Sequence, residues 1–158
     1  YRETGDSFLE VKKKNNRERT IKNRLPLTSQ TVASSRVVPF LEEQLGRPVA
    51  GMLPALFVGY RRMTFMSARG TERITVDTGL GFHSADRRSG LCLPDVAVFE
   101  VKYDRKVPYS PFLERLGQLG CRPVQFSKYC IGTSLLFGHE CKTNRFKPLL
   151  RRLHGICC

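Results

Sequence analysis

The chain has 158 residues, 41% hydrophobic and 26% charged, which suits one compact domain with a real core. Its 27 Lys and Arg against 14 Asp and Glu leave a formal charge of +13, which calls for an anionic partner: nucleic acid, phosphorylated metabolites, polyphosphate or an acidic membrane surface. No run of about 20 apolar residues is present, which excludes a spanning helix, and the six cysteines show neither a CxxC pair nor zinc-like spacing with His. Reduced thiols and a cytoplasmic location are therefore expected.

Alternation predicts strands over residues 7–14 and 20–27, joined by a polar connection through Asn15, Asn16 and Glu18. Residues 29–46 change to helical spacing at Val32, Val37, Phe40, Leu41 and Leu45. Pro39 marks the start of the helix and Gly46 its stop. A Gly/Pro-containing link follows at 49–55. Strands are then predicted over 56–66 and 72–78 at hairpin spacing around Ala68-Arg69-Gly70, and a loop over 79–95. Residues 96–103 read as a further strand. After a Pro-punctuated turn come helices over 111–119 and 126–137, the latter with Ser127 as N-cap, and a basic, helix-forming tail over 142–153. The order β-β-α-β-β-β-α-α indicates an α+β fold with a mainly antiparallel sheet, one domain over 1–153 and a tail over 154–158.

In a strand, alternate side chains share a face. Phe8-Leu9-Glu10-Val11-Lys12 returns as Val98-Phe99-Glu100-Val101-Lys102. Each copy sets Glu and Lys on one side and apolar residues on the other. Collected polar faces contain Glu10, Lys12, Lys14, Lys22, Arg24, Tyr60, Arg62, Arg73, Asp77, Glu100 and Lys102. Taken singly, each is an ordinary solvated strand face. Together, and curled into a barrel, they would line a lumen that repels itself unless filled by polyanion and metal. Arg offers bidentate forks to phosphate and Lys a compact charge, while a carboxylate anchors a divalent cation.

In order and spacing, Phe-Leu-Glu-Val-Lys-Lys-Lys at 8–14, Tyr60-Arg61-Arg62-Met63-Thr64-Phe65, Arg73-Ile74-Thr75-Val76-Asp77-Thr78, Phe99-Glu100-Val101-Lys102 and Phe126-Ser127-Lys128-Tyr129 resemble the VTC domain. This is the polyphosphate polymerase domain of the vacuolar transporter chaperone complex and its bacterial relatives, within the triphosphate tunnel metalloenzymes and CYTH-like proteins. The resemblance implies an antiparallel β-barrel, the triphosphate tunnel fold, with flanking helices. It also implies transfer of the terminal phosphoryl group of ATP to polyphosphate with Mn2+ or Mg2+.

Carried over by position, Glu100 is the metal glutamate, with Glu10 a second candidate. Lys128, Arg62 and Arg73 take the catalytic places. Lys12, Lys14, Lys22, Arg24, Tyr60, Lys102 and Ser127 join them in holding phosphate. The family's first strands, with a lysine and an Arg-x-Arg pair, are expected to precede Tyr1, so that the tunnel is incomplete at the N-terminus and the chain a fragment. Alternatives are a tunnel-fold triphosphatase and a non-catalytic module for polyphosphate or inositol phosphates. A membrane-bound partner is compatible with the family. No Walker A, HExxH or GxSxG sequence occurs. Nucleic acid is set aside as a specific partner, because neither an RNP pattern nor a helix-turn-helix signal is present.

Overall fold

A computed structural model describes residues 3–14, 20–28, 36–103 and 109–155. The predicted connection at 15–18, Val32, the turn after residue 103, Cys157 and Cys158 lie outside the described residues, as does the side chain of Lys14. Contacts divide the chain into two compact units between Leu53 and Pro54, inside the predicted link.

In the first unit, strands β1 (Ser7–Lys14) and β2 (Thr20–Leu27) pair antiparallel. Glu10 stands opposite Arg24 and Lys12 opposite Lys22, so these four share a face. Val11, on the other face, is buried, and helix α1 (Val37–Leu45) packs on β1. Pro39 sits in the first turn of α1, where a missing N–H breaks no helical bond. At the other end Gly46 adopts φ 67° and donates its N–H to the Glu42 carbonyl, closing the helix as predicted.

The second unit is built on strand β4 (Glu72–Ser84), which is longer than predicted. Strand β3 (Leu56–Met66) pairs along one edge of it. The other edge is shared end to end by β5 (Gly90–Leu93), against Leu80–His83, and β6 (Val98–Tyr103), against Glu72–Asp77. Much of the predicted loop at 79–95 is thus strand. Gly79, which fits a loop as readily as a bulge, has another use. Gly79, at φ 59°, and Leu80 together stand against Tyr60, forming a β-bulge, after which alternation resumes.

Because of that bulge, one sheet face has two characters. Beyond it lie Leu56, Val58, Leu80, Phe82, Leu91 and Leu93, covered by helices α3 (Lys128–Phe137) and α4 (Lys147–His154) through Ile131, Leu135, Leu150 and Leu153. Before the bulge the face is polar. On the reverse side Met63, Phe65 and Phe99 are about half exposed, and Phe99 meets Phe112 of helix α2 (Pro111–Gln118) with ring centroids 5.9 Å apart. Ser110 caps α2 and donates its hydroxyl to Glu72, tying the helix to β4. A short 3-10 turn at Asn144–Phe146 precedes α4 in the predicted basic tail.

The described strands form one two-stranded and one four-stranded antiparallel sheet, so the architecture is α+β with flanking helices, and among the described residues no sheet closes into a barrel. None of the described helices is long and apolar enough to cross a membrane. The described cysteines, Cys92, Cys121, Cys130 and Cys141, are unbridged.

Helix α3 approaches the sheet at Gly132, where an added Cβ would strike the Phe82 ring and lie 2.9 Å from Leu56 Cδ2. Helix propensity alone would favour Gly132→Ala by about 1 kcal/mol, but overpacking against a fully buried ring costs about 1–3 kcal/mol. We expect a net loss of up to about 2 kcal/mol in urea unfolding; a more stable variant would contradict this packing.

Candidate functional site

Register carries the polar half of the second unit's sheet. Arg62 stands opposite Asp77, Thr64 opposite Thr75 and Met66 opposite Arg73; across the other edge Thr75 faces Glu100 and Arg73 faces Lys102. Directly opposed residues project to the same side. Arg62, Arg73, Glu100 and Lys102 are therefore on one surface, as their alternation predicts.

At its centre Asp77 exposes 1% of its side chain. Arg62 donates from Nε to Oδ1 at 2.6 Å and from Nη2 to Oδ2 at 2.7 Å, a bidentate fork. Lys128 Nζ pairs with Oδ2 at 2.5 Å. Both cations also lie against the Tyr60 ring, Arg62 Cζ at 5.2 Å and Lys128 Nζ at 4.6 Å from its centroid. Burial alone would raise the Asp77 pKa, but the hydrogen bonds from Arg62 and Lys128 outweigh it and hold the carboxyl below its usual range.

Lys128 is the first residue of α3, and the helix cap aims it. Ser127, the predicted N-cap, accepts the Cys130 N–H at 3.3 Å. Packing of α3 on the apolar half of the face brings its N-terminus to the border of the polar half. The sequence had suggested Lys128 from a motif match; it gave no sign that Asp77 would be its partner. Asp77 is the functional candidate that sequence reasoning left out of the site, although alternation had set it beside Arg73 and Thr75. A lone carboxylate opposite an arginine on a strand otherwise rich in Thr and Val was the available signal.

Further along this face, Glu100 is half exposed and pairs with Lys102 at 2.9 Å. Desolvation, which would raise its pKa, is outweighed by the Lys102 hydrogen bond and by the charges of Lys102, Arg62 and Lys128, so the group stays ionised. Arg73 is exposed and has no ion pair among the described residues. No group of three His, Cys, Asp or Glu side chains that could hold a metal occurs among the described residues. A hard divalent cation arriving with phosphates needs only one or two carboxylates. Glu100 meets that requirement, and the buried Thr75 hydroxyl directly opposite it has no hydrogen-bond partner. The donor set fits a phosphate-borne Mg2+ or Mn2+ and does not fit a cage made of protein alone.

The first unit carries a cationic cluster of its own. Glu10 pairs with Lys12 at 3.1 Å, Lys22 at 2.7 Å and Arg24 at 2.6 Å, leaving positive charge in excess. Both oxygens of Glu10 are thereby engaged with cations.

Fold and site together define an α+β protein with a cationic strand face bordered by a helix N-terminus. By comparison with known families the chain belongs to the VTC domain family, whose model matches residues 44–137. That span holds Tyr60, Arg62, Arg73, Glu100, Lys102, Ser127 and Lys128; it leaves out the hairpin residues Glu10, Lys12, Lys14, Lys22 and Arg24. Membership points to a polyphosphate-related function. No curated protein and no solved structure matches the chain.

For Glu10, burial would raise the pKa, but the bonds from Lys22, Arg24 and Lys12 lower it from 4.5 to about 2. The folded carboxyl thus gives up its proton more readily than the unfolded one. Its stabilisation is full above about pH 4.5 and fades as pH falls toward about 2. The stability gap between wild type and Glu10→Gln, measured by urea unfolding, should shrink from pH 6 to pH 3; a constant gap would show that the cluster does not form.

Proposed function

We propose that this VTC domain is a polyphosphate polymerase that works in a basic tunnel, one wall of which is the polar half of the four-stranded sheet. The carrying observation is the pairing of Arg62 and Lys128 on one buried carboxylate over the Tyr60 ring. Arg62 spends Nε and one Nη2 hydrogen on Asp77, and among the described residues its Nη1 edge has no partner. That edge is a second fork, suited to phosphate oxygens.

In the proposed reaction an oxygen of the terminal phosphate of the chain attacks the γ-phosphorus of ATP. A new P–O bond forms, the bond to ADP breaks, and the chain grows by one phosphate. Little covalent work falls to the protein, and positioning with charge neutralisation supplies most of the rate. Arg62 and Lys128 hold the reacting phosphates, Arg73 extends the clamp along β4, and Ser127 and Lys102 add flanking contacts. Mn2+ or Mg2+ on Glu100 would neutralise phosphate charge. The hairpin residues Lys12, Lys22 and Arg24, which pair with Glu10, are of the same phosphate-binding type, and Lys14 is assigned to that group from its place in the sequence. A cytoplasmic setting supplies ATP, and a membrane-bound partner is compatible with this role.

Incubation with ATP and Mn2+, followed by product analysis, tests the reading. Lengthening chains are expected. Orthophosphate alone would make the protein a triphosphatase, and binding of polyphosphate or inositol phosphates without turnover would make it a sensor. Arg62→Ala should weaken tripolyphosphate binding by about 1.5–3 kcal/mol, the scale of a hydrogen bond to a charged group; unchanged affinity in calorimetry would count against the site. Glu100→Gln should abolish the metal dependence of binding while leaving metal-free affinity intact.

A further inference from the structure

Asp77 carries a negative charge in the middle of a surface otherwise suited to polyanions. On charge alone it is a defect, since a carboxylate repels phosphate. Its geometry says otherwise. It exposes 1% of its side chain, while Arg62 and Lys128 expose 34% and 20%, so an approaching ligand meets the cations and not the acid. Its two oxygens accept three bonds from two elements that are distant in sequence, a mid-strand arginine and the first residue of a helix. Because Nη2 of Arg62 and Nζ of Lys128 bond the same oxygen, Oδ2, the two charges are held within a few ångströms of each other.

We infer that Asp77 is the positioning residue of the phosphate clamp. It stays bound to Arg62 and Lys128 while phosphate is held, fixes their separation, and turns the free edge of Arg62 outward. This inference rests on the phosphate-binding reading of the same site. Asn in its place keeps the shape but presents one acceptor oxygen and an NH2 group, so Arg62 loses one of its two bonds in either orientation of the amide, and with the NH2 group at the Oδ2 position Lys128 loses its bond as well.

Electrostatics and positioning predict opposite signs for Asp77→Asn, which separates them. Removing a negative charge tightens tripolyphosphate binding if Asp77 is only a counter-charge. Loss of the clamp geometry weakens it, and we expect at least a tenfold weakening by calorimetry in a variant whose thermal unfolding is still cooperative. Equal or tighter binding would overturn the inference while leaving the phosphate-binding reading in place.

A measurement on the unmutated chain guards against a variant that fails to fold. The Arg62 Nε–H resonance, assigned by its loss in Arg62→Lys, should be slow to exchange with solvent and remain so at saturating tripolyphosphate. Collapse of that protection on adding tripolyphosphate would show that phosphate displaces Asp77, and would sink the inference. If the unmutated chain binds no tripolyphosphate at all, the phosphate-binding reading falls and this inference with it.

Discussion

A carboxylate removed from water has lost its hydration and must recover that energy from partners. Asp77 recovers it from Arg62 and Lys128, and each cation in turn needs the acid. Two positive charges roughly 4 Å apart repel by about 4 kcal/mol at an effective dielectric near 20. Without the shared anion the strand arginine and the helix lysine would turn away from each other into solvent. With it they sit side by side on an aromatic ring. Removing either cation leaves the buried acid with fewer partners, which costs more than the loss of an ordinary surface bridge. The site and the docking of α3 are therefore one problem, solved by the same contact.

That coupling reflects an unusual economy in the sheet. The apolar core takes in the half of the face paired through β5 and Val98 at the start of β6, and the rest of the half paired through β6 stays polar. Hydrophobic burial at Phe82, Leu80, Leu93 and Ile131 anchors α3, and the first residue of that helix then projects over the border. The apolar core sets the position of Lys128 to within hydrogen-bonding reach of Asp77. The clamp thus borrows its rigidity from packing a few residues away.

Alternation made much of this legible in the sequence. Arg62 with Thr64, Arg73 with Thr75 and Asp77, and Glu100 with Lys102 fell on common faces because a strand repeats every second residue, and the observed registers join those faces across β3, β4 and β6. The Ser127 cap and the Gly46 stop were equally plain, since each has a local chemical cause. Three things were hidden. Gly79 and Gly81 looked like loop punctuation, although Leu80 and Phe82 kept an apolar period of two that a bulge allows. Burial of Asp77 depends on what approaches from elsewhere in the chain, and alternation is silent on that. Nor does a helical period say which half of a sheet face the helix will cover.

The bulge at Gly79 has a consequence for how this strand can change. Asp77 and Phe82 are separated by an odd number of positions, so strict alternation would send them to opposite sides; the extra residue opposite Tyr60 brings them to the same side. Deleting one residue here would leave every contact type available and yet expel either the acid from its cations or the ring from the core. The segment behaves like a reading frame, in which single insertions and deletions are forbidden while many substitutions are tolerated.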